Sequence, residues 1–233
     1  MKSIYIDGEY LDNNKDWHLE HSPWKAEKIQ EILSQNQISF DSLVEVGCGA
    51  GGILYELTKY YRDADIEGFD ISPQVEDLWN QLPENSINLQ VKDFLKSDKF
   101  YDVLLLIDVF EHIPDYLDFL NSITSRSKHF IFHIPLDMNV QGLLRELPIR
   151  HRNTVGHLHY FSKSTAIRTL EDSGFKIIDC FYTAEDLELK TSFNKRLLAP
   201  VRKVSFKLKP DLTVKLLGGW SLMVLAQASE HSS

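Results

Sequence analysis

The sequence predicts an α/β fold built on a doubly wound, mostly parallel sheet. Short runs rich in β-branched residues alternate with segments of helical period along most of the chain. One run, YDVLLLID at residues 101–108, is almost continuously apolar, which is typical of a strand covered on both faces. Another apolar strand leads directly into a cluster of four glycines, LVEVGCGAGGIL at residues 43–54. Ligands of such folds lie beyond the carboxyl ends of the strands, so we expect the functional site at that edge.

The elements follow one another in a regular order. Apolar runs bounded by polar or turn residues predict seven strands, at residues 42–46, 65–70, 87–91, 101–108, 129–135, 175–183 and 221–227. Helical spacing predicts helices at residues 21–33, 52–61, 72–82, 114–123 and 162–174. Ser22 is expected to cap the first helix, with Pro23 as its first residue, and the Ser-Pro pair at residue 72 repeats this start. Gly174 is expected to end the fifth helix.

Length and composition indicate a single domain. The chain has 233 residues and a net charge of −9, which argues against a general nucleic-acid binder. No apolar signal region is visible, no apolar run reaches the ~20 residues that span a bilayer, and the two cysteines lie far apart. The expected location is therefore cytoplasmic. The domain at residues 1–233 divides into a lid and helix (1–40), a core (41–183) with an insertion (136–161), a basic insertion (184–219) and a last strand (220–228).

The glycine cluster has the spacing of a nucleotide-binding loop. Gly47, Gly49 and Gly52 satisfy G-x-G-x-x-G between a strand and a helix, and Asp70 follows 23 residues after Gly47. On these points alone the loop would serve a dinucleotide. A nucleotide-dependent oxidoreductase is therefore one hypothesis for the function.

Charge around the loop favours a different cofactor. Glu45 lies two residues before Gly47 and on the same side of the strand, where a carboxylate would repel a pyrophosphate and attract a cation. Further acids follow the other strands, namely Asp70, Asp93, Asp108 and Glu111. Five acids along one crevice suit a ligand with positive charge and hydroxyl groups. S-adenosylmethionine carries a sulfonium, an ammonium and a ribose diol, whereas NAD carries two phosphates.

Several segments in register resemble a known family. They are VEVGCGAGG, GFDIS, VKDFL, DVLLLIDVFEHIPD and HLHYFSKSTAIRTLEDSGF, within residues 43–175. They are similar to class I S-adenosylmethionine-dependent methyltransferases, in the small-molecule branch typified by the ubiquinone-biosynthesis O-methyltransferases. The resemblance implies a Rossmann-like seven-stranded sheet whose last strand, in GGWSLMVLAQ, is antiparallel. It also implies methyl transfer from S-adenosylmethionine to a small molecule, with oxygen as the expected acceptor atom and nitrogen or carbon left open.

The resemblance also assigns the cofactor site residue by residue. Gly47, Gly49 and Gly51 would let the backbone pass under the methionine part, with Glu45 near its amino group. Asp70 would accept from the ribose hydroxyls, and Asp93 from the adenine amino group. The other cofactor residues that the resemblance implies are Cys48, Ile71, Phe94, Asp108, Val109 and His112. Cys48 is interpreted as a packing residue and not as a nucleophile.

Histidines near the same edge are the candidates for acid–base chemistry. His112, His157 and His159 are the candidate catalytic residues, while His133 is expected to be a strand histidine whose hydrogen bonds are satisfied in the core. Asp137 or Glu146 could join the His157-x-His159 pair around a metal, but no third ligand has metal spacing, so no metal is expected. The segment DWHLEHSPWK at residues 16–25 is either a lid over the cofactor or an aromatic cluster that packs the first helix.

The basic insertion leaves three interpretations open. Residues 190–215 hold eight Lys or Arg against one acid, and Phe193, Leu197, Val201, Val204 and Leu208 have the spacing of an amphipathic helix or helix pair, with Pro200 as a start for the second piece. The segment could be a solvated cap over the substrate, a site for an anionic acceptor, or a contact with an anionic membrane that carries a lipid-linked acceptor. A non-catalytic cofactor-binding member of the family also remains an alternative, and nothing indicates the oligomeric state.

Overall fold

The computed structural model describes residues 19–83, 87–189 and 193–229. Residues 1–18, which include Trp17 and His18 of the predicted lid segment at 16–25, lie outside the described residues, as does Lys190 in the basic insertion. Both the core and most of the two insertions are described.

A seven-stranded sheet forms the centre of the molecule, as predicted. Its strand order is β3-β2-β1-β4-β5-β7-β6, and only the pairings of β7 with β5 and β6 are antiparallel. The strands are β1 (Ser42–Val46), β2 (Asp65–Asp70), β3 (Asn88–Val91), β4 (Tyr101–Ile107), β5 (Ser127–Pro135), β6 (Phe175–Thr183) and β7 (Ser221–Ala228). The order reverses between β1 and β4, so the crevice for a ligand opens there, beyond the ends of these two strands.

Ten helices in the described parts of the chain connect or flank the strands. They are α1 (Ser22–Gln35), α2 (Gly52–Thr58), α3 (Val75–Trp79), α4 (Tyr116–Ile123), α5 (Val140–Leu144), α6 (Leu147–Thr154), α7 (Lys163–Asp172), α8 (Glu185–Glu188), α9 (Phe193–Leu208) and α10 (Pro210–Leu217). Short 3₁₀ turns lie at Leu19–His21, Phe94–Lys96 and Phe110–His112.

Helix starts follow the capping chemistry only in part. Ser162, the predicted start of the fifth helix, caps α7 with a capping box, and its hydroxyl accepts from the Thr165 amide. Two predicted starts are wrong. Ser22 is the first residue of α1 and His21 its cap, and α3 begins three residues after Ser72. The backbone N–H of Ser72 instead donates to Asp70, which holds that turn out of the helix.

Two apolar cores cover the two faces of the sheet. On one face α1 and α2 bury Ile29, Leu33 and Leu54 against strands β1, β2 and β4. On the other face a larger, aromatic-rich core includes Phe130, Phe132 and Phe175 from β5 and β6 together with residues of α4 and α7. Burial on both faces explains the continuous apolar character of the central strands.

The basic insertion folds into two helices, but they divide at a different proline from the one predicted. α9 runs through Pro200 to Leu208, and α10 begins at Pro210. The apolar period continues across Pro200 on a single helix face, whereas Lys209 has extended ψ and interrupts it. Phe206 and Arg202 pack on the ring of Trp220, with the Phe206 and Trp220 centroids 5.6 Å apart.

The predicted apolar stripe of α9 faces outward in its described part. Val201, Val204 and Leu208 are 65%, 60% and 75% exposed. Because Arg202 and Phe206 make the contacts with the domain, the stripe on the opposite side has nothing to cover within the described chain. None of the helices in the described segments combines the length and the apolar character that a membrane-spanning helix requires.

Candidate functional site

Two adjoining cavities open at the carboxyl edge of the sheet, where β1 and β4 diverge. The first, the apolar cavity, has a volume of about 360 Å³, and the second, the polar cavity, about 410 Å³. Gly47, Asp108 and His112 line both cavities, so the two form one continuous cleft around these residues. The cleft lies where the topology of the sheet places a ligand site.

The glycine loop forms the floor of the cleft. Gly47, Gly49 and Gly51 have φ values of 76°, 49° and 74°, in the left-handed region that favours glycine. The amides of Gly47 and Cys48 both donate to the carbonyl of Phe69, at 2.7 and 3.1 Å, which fastens the loop to the end of β2. A Cβ on Gly47 would approach a methyl group of Val109 to 2.7 Å, so the backbone here leaves no room for a side chain.

Asp70 fixes the loop from the neighbouring strand. Its Oδ2 accepts from the Gly49 amide and its Oδ1 from the Ser72 amide, both at 2.8 Å. Burial raises the pKa of Asp70, and these backbone N–H groups act in the opposite direction. Each oxygen keeps a second lone pair, which can accept a hydroxyl from a ligand in the apolar cavity that Asp70 lines.

The rest of the apolar cavity suits a flat, largely apolar group. Ile71 is 53% exposed at its mouth, and the buried rings of Phe69 and Phe94 lie edge-to-face at 5.4 Å behind it. Asp93 lines the cavity and also caps the 3₁₀ turn that follows, because its Oδ1 accepts from the Leu95 amide at 3.0 Å. Val109 lines the same cavity. The structure thus brings Ile71, Asp93, Phe94 and Val109 together as predicted.

Glu45 is a buried carboxyl on the floor of the polar cavity. It is 2% exposed, and its Oε2 has no hydrogen-bond partner among the described residues. Burial raises the pKa of Glu45 to about 8, Lys25 lowers it, and Asp70 and Asp108 raise it further. A cation bound in the cavity would favour the ionised form, so the residue is suited to an ammonium group.

Asp108 is the centre of a network that the sequence did not reveal. Lys25 Nζ, from α1, donates to Asp108 Oδ2 at 2.7 Å, and His133 Nδ1 lies 2.6 Å from Oδ1. His133 is buried, and its Nε2 contacts Thr183 Oγ1 at 2.9 Å, so it is the satisfied strand histidine that was predicted. Burial alone would raise the pKa of Asp108, but His133 and Lys25 hold it well below its ordinary value.

Lys25 is a site residue that sequence reasoning missed. It belongs to the apolar-faced helix α1, where a lysine ordinarily points to solvent, yet its side chain is only 16% exposed and lines the polar cavity. Nearby, His21 pairs with Glu185, while Trp24 Nε1 and Lys28 Nζ reach Glu188 at 3.0 and 2.8 Å. These contacts hold α1 and α8 together over the cavity, and no spacing in the sequence links the two segments.

Cys48 is buried as expected, whereas Glu111 is buried against the expectation. Cys48 is buried at 7% exposure, and burial raises the pKa of its thiol well above the ordinary value, which fits a packing role. Glu111 lines neither cavity. Its carboxyl is completely buried, so the predicted row of five acids along the crevice is wrong at this position. The reason is the 3₁₀ turn at Phe110–His112, which directs Glu111 inward and His112 into the cleft.

His159, the third histidine of the catalytic prediction, lies outside the cleft. His159 lines neither cavity, its Nε2 lies 3.0 Å from the carbonyl of Ile113, and its ring packs 4.4 Å from that of Tyr116. His112 and His157 do lie together in the polar cavity, with ring centroids 4.9 Å apart. His112 Nδ1 lies 3.1 Å from the carbonyl of Gly156, and burial lowers the pKa of His112 to about 4, with His157 adding to that effect.

The insertion at 136–161 supplies further side chains of the polar cavity. Asp137 Oδ2 lies 2.7 Å from His157 Nδ1, and Asp137 Oδ1 lies 3.1 Å from His151 Nδ1. His151 on α6, and not His159, completes a group of three potential ligating side chains with Asp137 and His157. Its distance of six residues from His157 matches no metal spacing, which is why the sequence did not indicate it.

Comparison with known proteins places the chain among methyltransferases. A family described as "Methyltransferase domain" matches residues 17–179. The chain is similar to the ubiquinone biosynthesis O-methyltransferase of Nitrosomonas europaea, with 27% identity over 147 residues, 58% of this chain and 60% of that protein. The match thus spans less than two thirds of that relative's length.

Solved structures show the same fold. A chain of the complex between the Haloferax volcanii Trm112 methyltransferase activator and a methyltransferase superposes with a TM-score of 0.70 and 14% identity, covering 99% of this chain and 100% of that one. Magnesium protoporphyrin IX methyltransferase from Synechocystis PCC 6803, crystallised with bound SAH, has a TM-score of 0.59 and 16% identity, covering 92% of this chain and 86% of that one. The predicted fold class and family are both confirmed.

Proposed function

This chain belongs to the methyltransferase domain family, and from that premise we propose that it transfers a methyl group from S-adenosylmethionine to an oxygen of a small molecule. The observation that carries the proposal is the continuous cleft whose two halves differ in character. Its apolar half suits adenosine and its polar half holds a buried carboxyl, Glu45, suited to an ammonium group. The family match also speaks against the hypothesis of a nucleotide-dependent oxidoreductase.

The residues of the cleft fit the proposed cofactor. Asp70 would accept from the ribose hydroxyls, and Ile71 and Phe94 would enclose the adenine with Asp93 at its polar edge. Gly47 would lie under the methionine part, where a side chain has no room, and Glu45 would face the amino group. When bound, S-adenosylmethionine supplies a methyl group on a positively charged sulfur. A lone pair of the acceptor would bond to the methyl carbon, and the sulfur would leave as a neutral thioether.

The acceptor is proposed to enter the polar cavity. His112 lies at the junction of the two cavities, where the cofactor and the acceptor would meet. Its Nδ1 faces the Gly156 carbonyl, so in the neutral ring Nδ1 carries the proton and Nε2 is the basic nitrogen. We assign His112 as the group that takes the hydroxyl proton of the acceptor, and the enclosed cavity as the means of positioning it.

Oxygen is the proposed methyl acceptor because of the side chains that surround the cavity. Lys25, His151 and His157 offer charged or polar contacts to a hydroxyl or carboxylate group. The similarity to a ubiquinone biosynthesis O-methyltransferase supports the same choice.

The exposed face of α9 supports a second proposal, peripheral contact with an anionic membrane. Val201, Val204 and Leu208 form an exposed apolar stripe, and the exposed Lys203 and Lys207 flank it. This combination is typical of helices that lie in a lipid interface. Such a contact would bring a lipid-linked acceptor to the cleft. Co-sedimentation with vesicles of anionic and of neutral phospholipids tests it, and absence of binding to both at low salt would contradict it.

Turnover itself is tested by product formation. The protein is incubated with S-adenosylmethionine and a panel of phenols, catechols, hydroxy acids and amines, and the S-adenosylhomocysteine released is measured by mass spectrometry. The proposal predicts release that depends on an oxygen acceptor and is strongly reduced in Asp70→Asn. Tight binding of cofactor without release for any acceptor would instead support the non-catalytic alternative.

A further inference from the structure

Three side chains of the polar cavity form a compact group around Asp137. Asp137 follows β5, His151 lies on α6, and His157 lies in the segment after α6. The two carboxylate oxygens of Asp137 each face one imidazole, at 3.1 Å from His151 Nδ1 and 2.7 Å from His157 Nδ1. The three donor atoms all lie within 4.8 Å of one another.

The donor set and its spacing match a metal site with open positions. Imidazole nitrogens and a carboxylate are borderline ligands that suit Zn²⁺ and similar divalent ions, and catalytic zinc sites use three protein ligands with one position left for water or substrate. Ligands about 2.1 Å from a common ion stand roughly 3.0–3.4 Å apart. The two separations between Asp137 oxygens and imidazole nitrogens, 3.1 and 2.7 Å, are close to that spacing. The present contacts keep both rings turned toward the same carboxylate.

The surroundings favour an added positive charge. Glu111 is completely buried, and neither of its carboxyl oxygens has a hydrogen-bond partner among the described residues. One of these oxygens lies within 4.8 Å of ligand nitrogens of His112 and His157, so it adjoins the Asp137 group. A buried carboxyl without a partner is costly, and a nearby cation would offset that cost. The orphaned carboxyl is a second observation, independent of the ligand spacing.

We propose that Asp137, His151 and His157 bind a divalent transition metal ion whose open coordination positions face the polar cavity. This reverses the sequence-based expectation that the protein binds no metal. The ligands line the cavity together with Gly47 of the glycine loop and with His112. An ion held by them would therefore stand beside the place proposed for the transferred methyl group.

The ion also indicates a class of acceptor, an inference that rests on the proposed function. A divalent ion with open positions binds oxygen anions and lowers the pKa of a coordinated hydroxyl. The acceptors that profit most carry two adjacent oxygens, such as a catechol or an α-hydroxy acid, because both can coordinate while one is methylated. The proton of the coordinated hydroxyl would leave to His112 or to water, and the ion would change neither its charge nor its oxidation state.

Direct titration of the metal-free protein with Co²⁺ tests the site without any turnover. The full chain is treated with EDTA, dialysed, and titrated while the visible absorption and the heat are recorded. We expect one ion per chain, displaceable by Zn²⁺, and a loss of affinity of about 100-fold in His151→Gln and in Asp137→Asn. His159→Gln is the matched control, because it removes a neighbouring histidine outside the cavity and should leave the affinity unchanged.

The outcomes separate this assignment from its nearest rival. The second group of ligating atoms, Glu111 with His112 and His157, shares only His157 with the proposed one. Glu111→Gln should keep the ion if the assignment is right. Loss of the ion in Glu111→Gln but not in His151→Gln would overturn it. Failure of the wild-type protein to bind one ion per chain would overturn it as well. His151 is only half-buried on a surface helix, so His151→Gln should fold even where Asp137→Asn does not.

Addition of catechol to the Co²⁺-loaded protein tests the acceptor class. A shift of the visible bands at micromolar to millimolar catechol, absent in His151→Gln, would support coordination of paired oxygens. An unchanged spectrum would overturn this part while leaving metal binding intact. Because neither titration contains S-adenosylmethionine, failure of the methyltransferase proposal would not alter these results.

Discussion

The two halves of the cleft are built in different ways. The apolar cavity is made by strand ends and the turns that follow them, and its key carboxylate, Asp70, is held by two backbone amides. The polar cavity shares the floor of strand ends, including Glu45, but its walls are side chains from α1, from the 136–161 insertion and from α8, which meet only in the folded chain. The first half is thus fixed by the sheet itself, and the second depends on long-range packing of appended segments.

This difference suggests a division of labour. A site that rests on strand ends and glycine turns is as rigid as the sheet, which suits recognition of one invariable ligand such as a cofactor. A site assembled from insertions can be changed without disturbing the sheet, which suits the choice of acceptor. Substitutions in the first half, and at Glu45 on the strand-end floor of the second, should therefore lower cofactor affinity, whereas those in the appended segments should not.

The largest effect is expected for Asp70→Asn. Asparagine can accept from only one of the two amides, of Gly49 and Ser72, that the carboxylate now engages, and it donates where the ribose hydroxyls would donate. Affinity for S-adenosylhomocysteine should fall on the order of 100-fold, measured by calorimetry. Asp65→Asn, at the exposed start of the same strand, is the matched control. Equal affinities of both variants would show that Asp70 does not bind the ribose.

Glu45→Gln should lower cofactor affinity about tenfold and remove its pH dependence. In the wild type, Glu45 is largely protonated below its pKa of about 8 and must ionise to face an ammonium group. Affinity should therefore rise between pH 6 and 7.5. The other groups that face Glu45 are Lys25, Asp70, Asp108 and Cys48, and all of them remain in the variant. A wild-type affinity that is flat over this range would contradict the role of Glu45.

The same substitution should stabilise the cofactor-free protein. Burial raises the pKa of Glu45 in the folded state above its ordinary value of 4.5, so its contribution to stability is lost as the pH rises from about 4.5 through 8. Glutamine removes this penalty. We expect an increase in the free energy of unfolding of roughly 1–3 kcal/mol at pH 8 and none at pH 4.5. Denaturant unfolding at the two pH values, with Glu31→Gln as control, measures the difference.

Gly47→Ala tests the close approach of the loop to β4. The added Cβ meets Val109 at 2.7 Å, and the residue has a φ of 76°. We expect roughly 1–2 kcal/mol of lost stability from the left-handed backbone, with several-fold weaker cofactor binding. In a Val109→Ala background the contact disappears but the backbone strain stays, so part of the loss should return. An equal loss of stability in both backgrounds would mean that the contact with Val109 contributes nothing to the effect.

The smallest effect on cofactor binding is expected for His157→Gln. His157 contacts Asp137 and His112 in the polar cavity and does not itself line the apolar cavity. Affinity for S-adenosylhomocysteine should change by less than about threefold, within the usual effect of a distant polar substitution. His159→Gln serves as the control for loss of a histidine. A tenfold loss in His157→Gln would show that the two halves of the cleft are not independent.

The same division explains how much the sequence could reveal. The strands β1, β2 and β6 have the predicted bounds because continuous apolar runs between turn residues mark them locally. The loop glycines, Asp70 and Asp93 were found because strand ends in a parallel sheet must share one edge. Local patterns could not reveal that Lys25 turns inward, that Glu111 is buried, or that His151 joins Asp137.

Helix ends and faces were harder to predict for related reasons. Pro200 and Pro210 have equal capacity to start a helix, and only the continuing period of the apolar face distinguishes them. The sequence showed an apolar stripe on α9 but not whether it faces the domain, because Phe206 and Arg202 on the other side also pack well, here on Trp220. Such choices depend on the partner surface and not on the segment.

The central claim is that the carboxylates of this cleft select a cationic, adenosine-bearing cofactor. Calorimetric titration of the wild-type protein at pH 7.5 with S-adenosylmethionine and, separately, with NADH tests it most directly. We predict saturable one-to-one binding of S-adenosylmethionine and no measurable heat with NADH at the same concentrations. Binding of NADH at equal or higher affinity would contradict the claim.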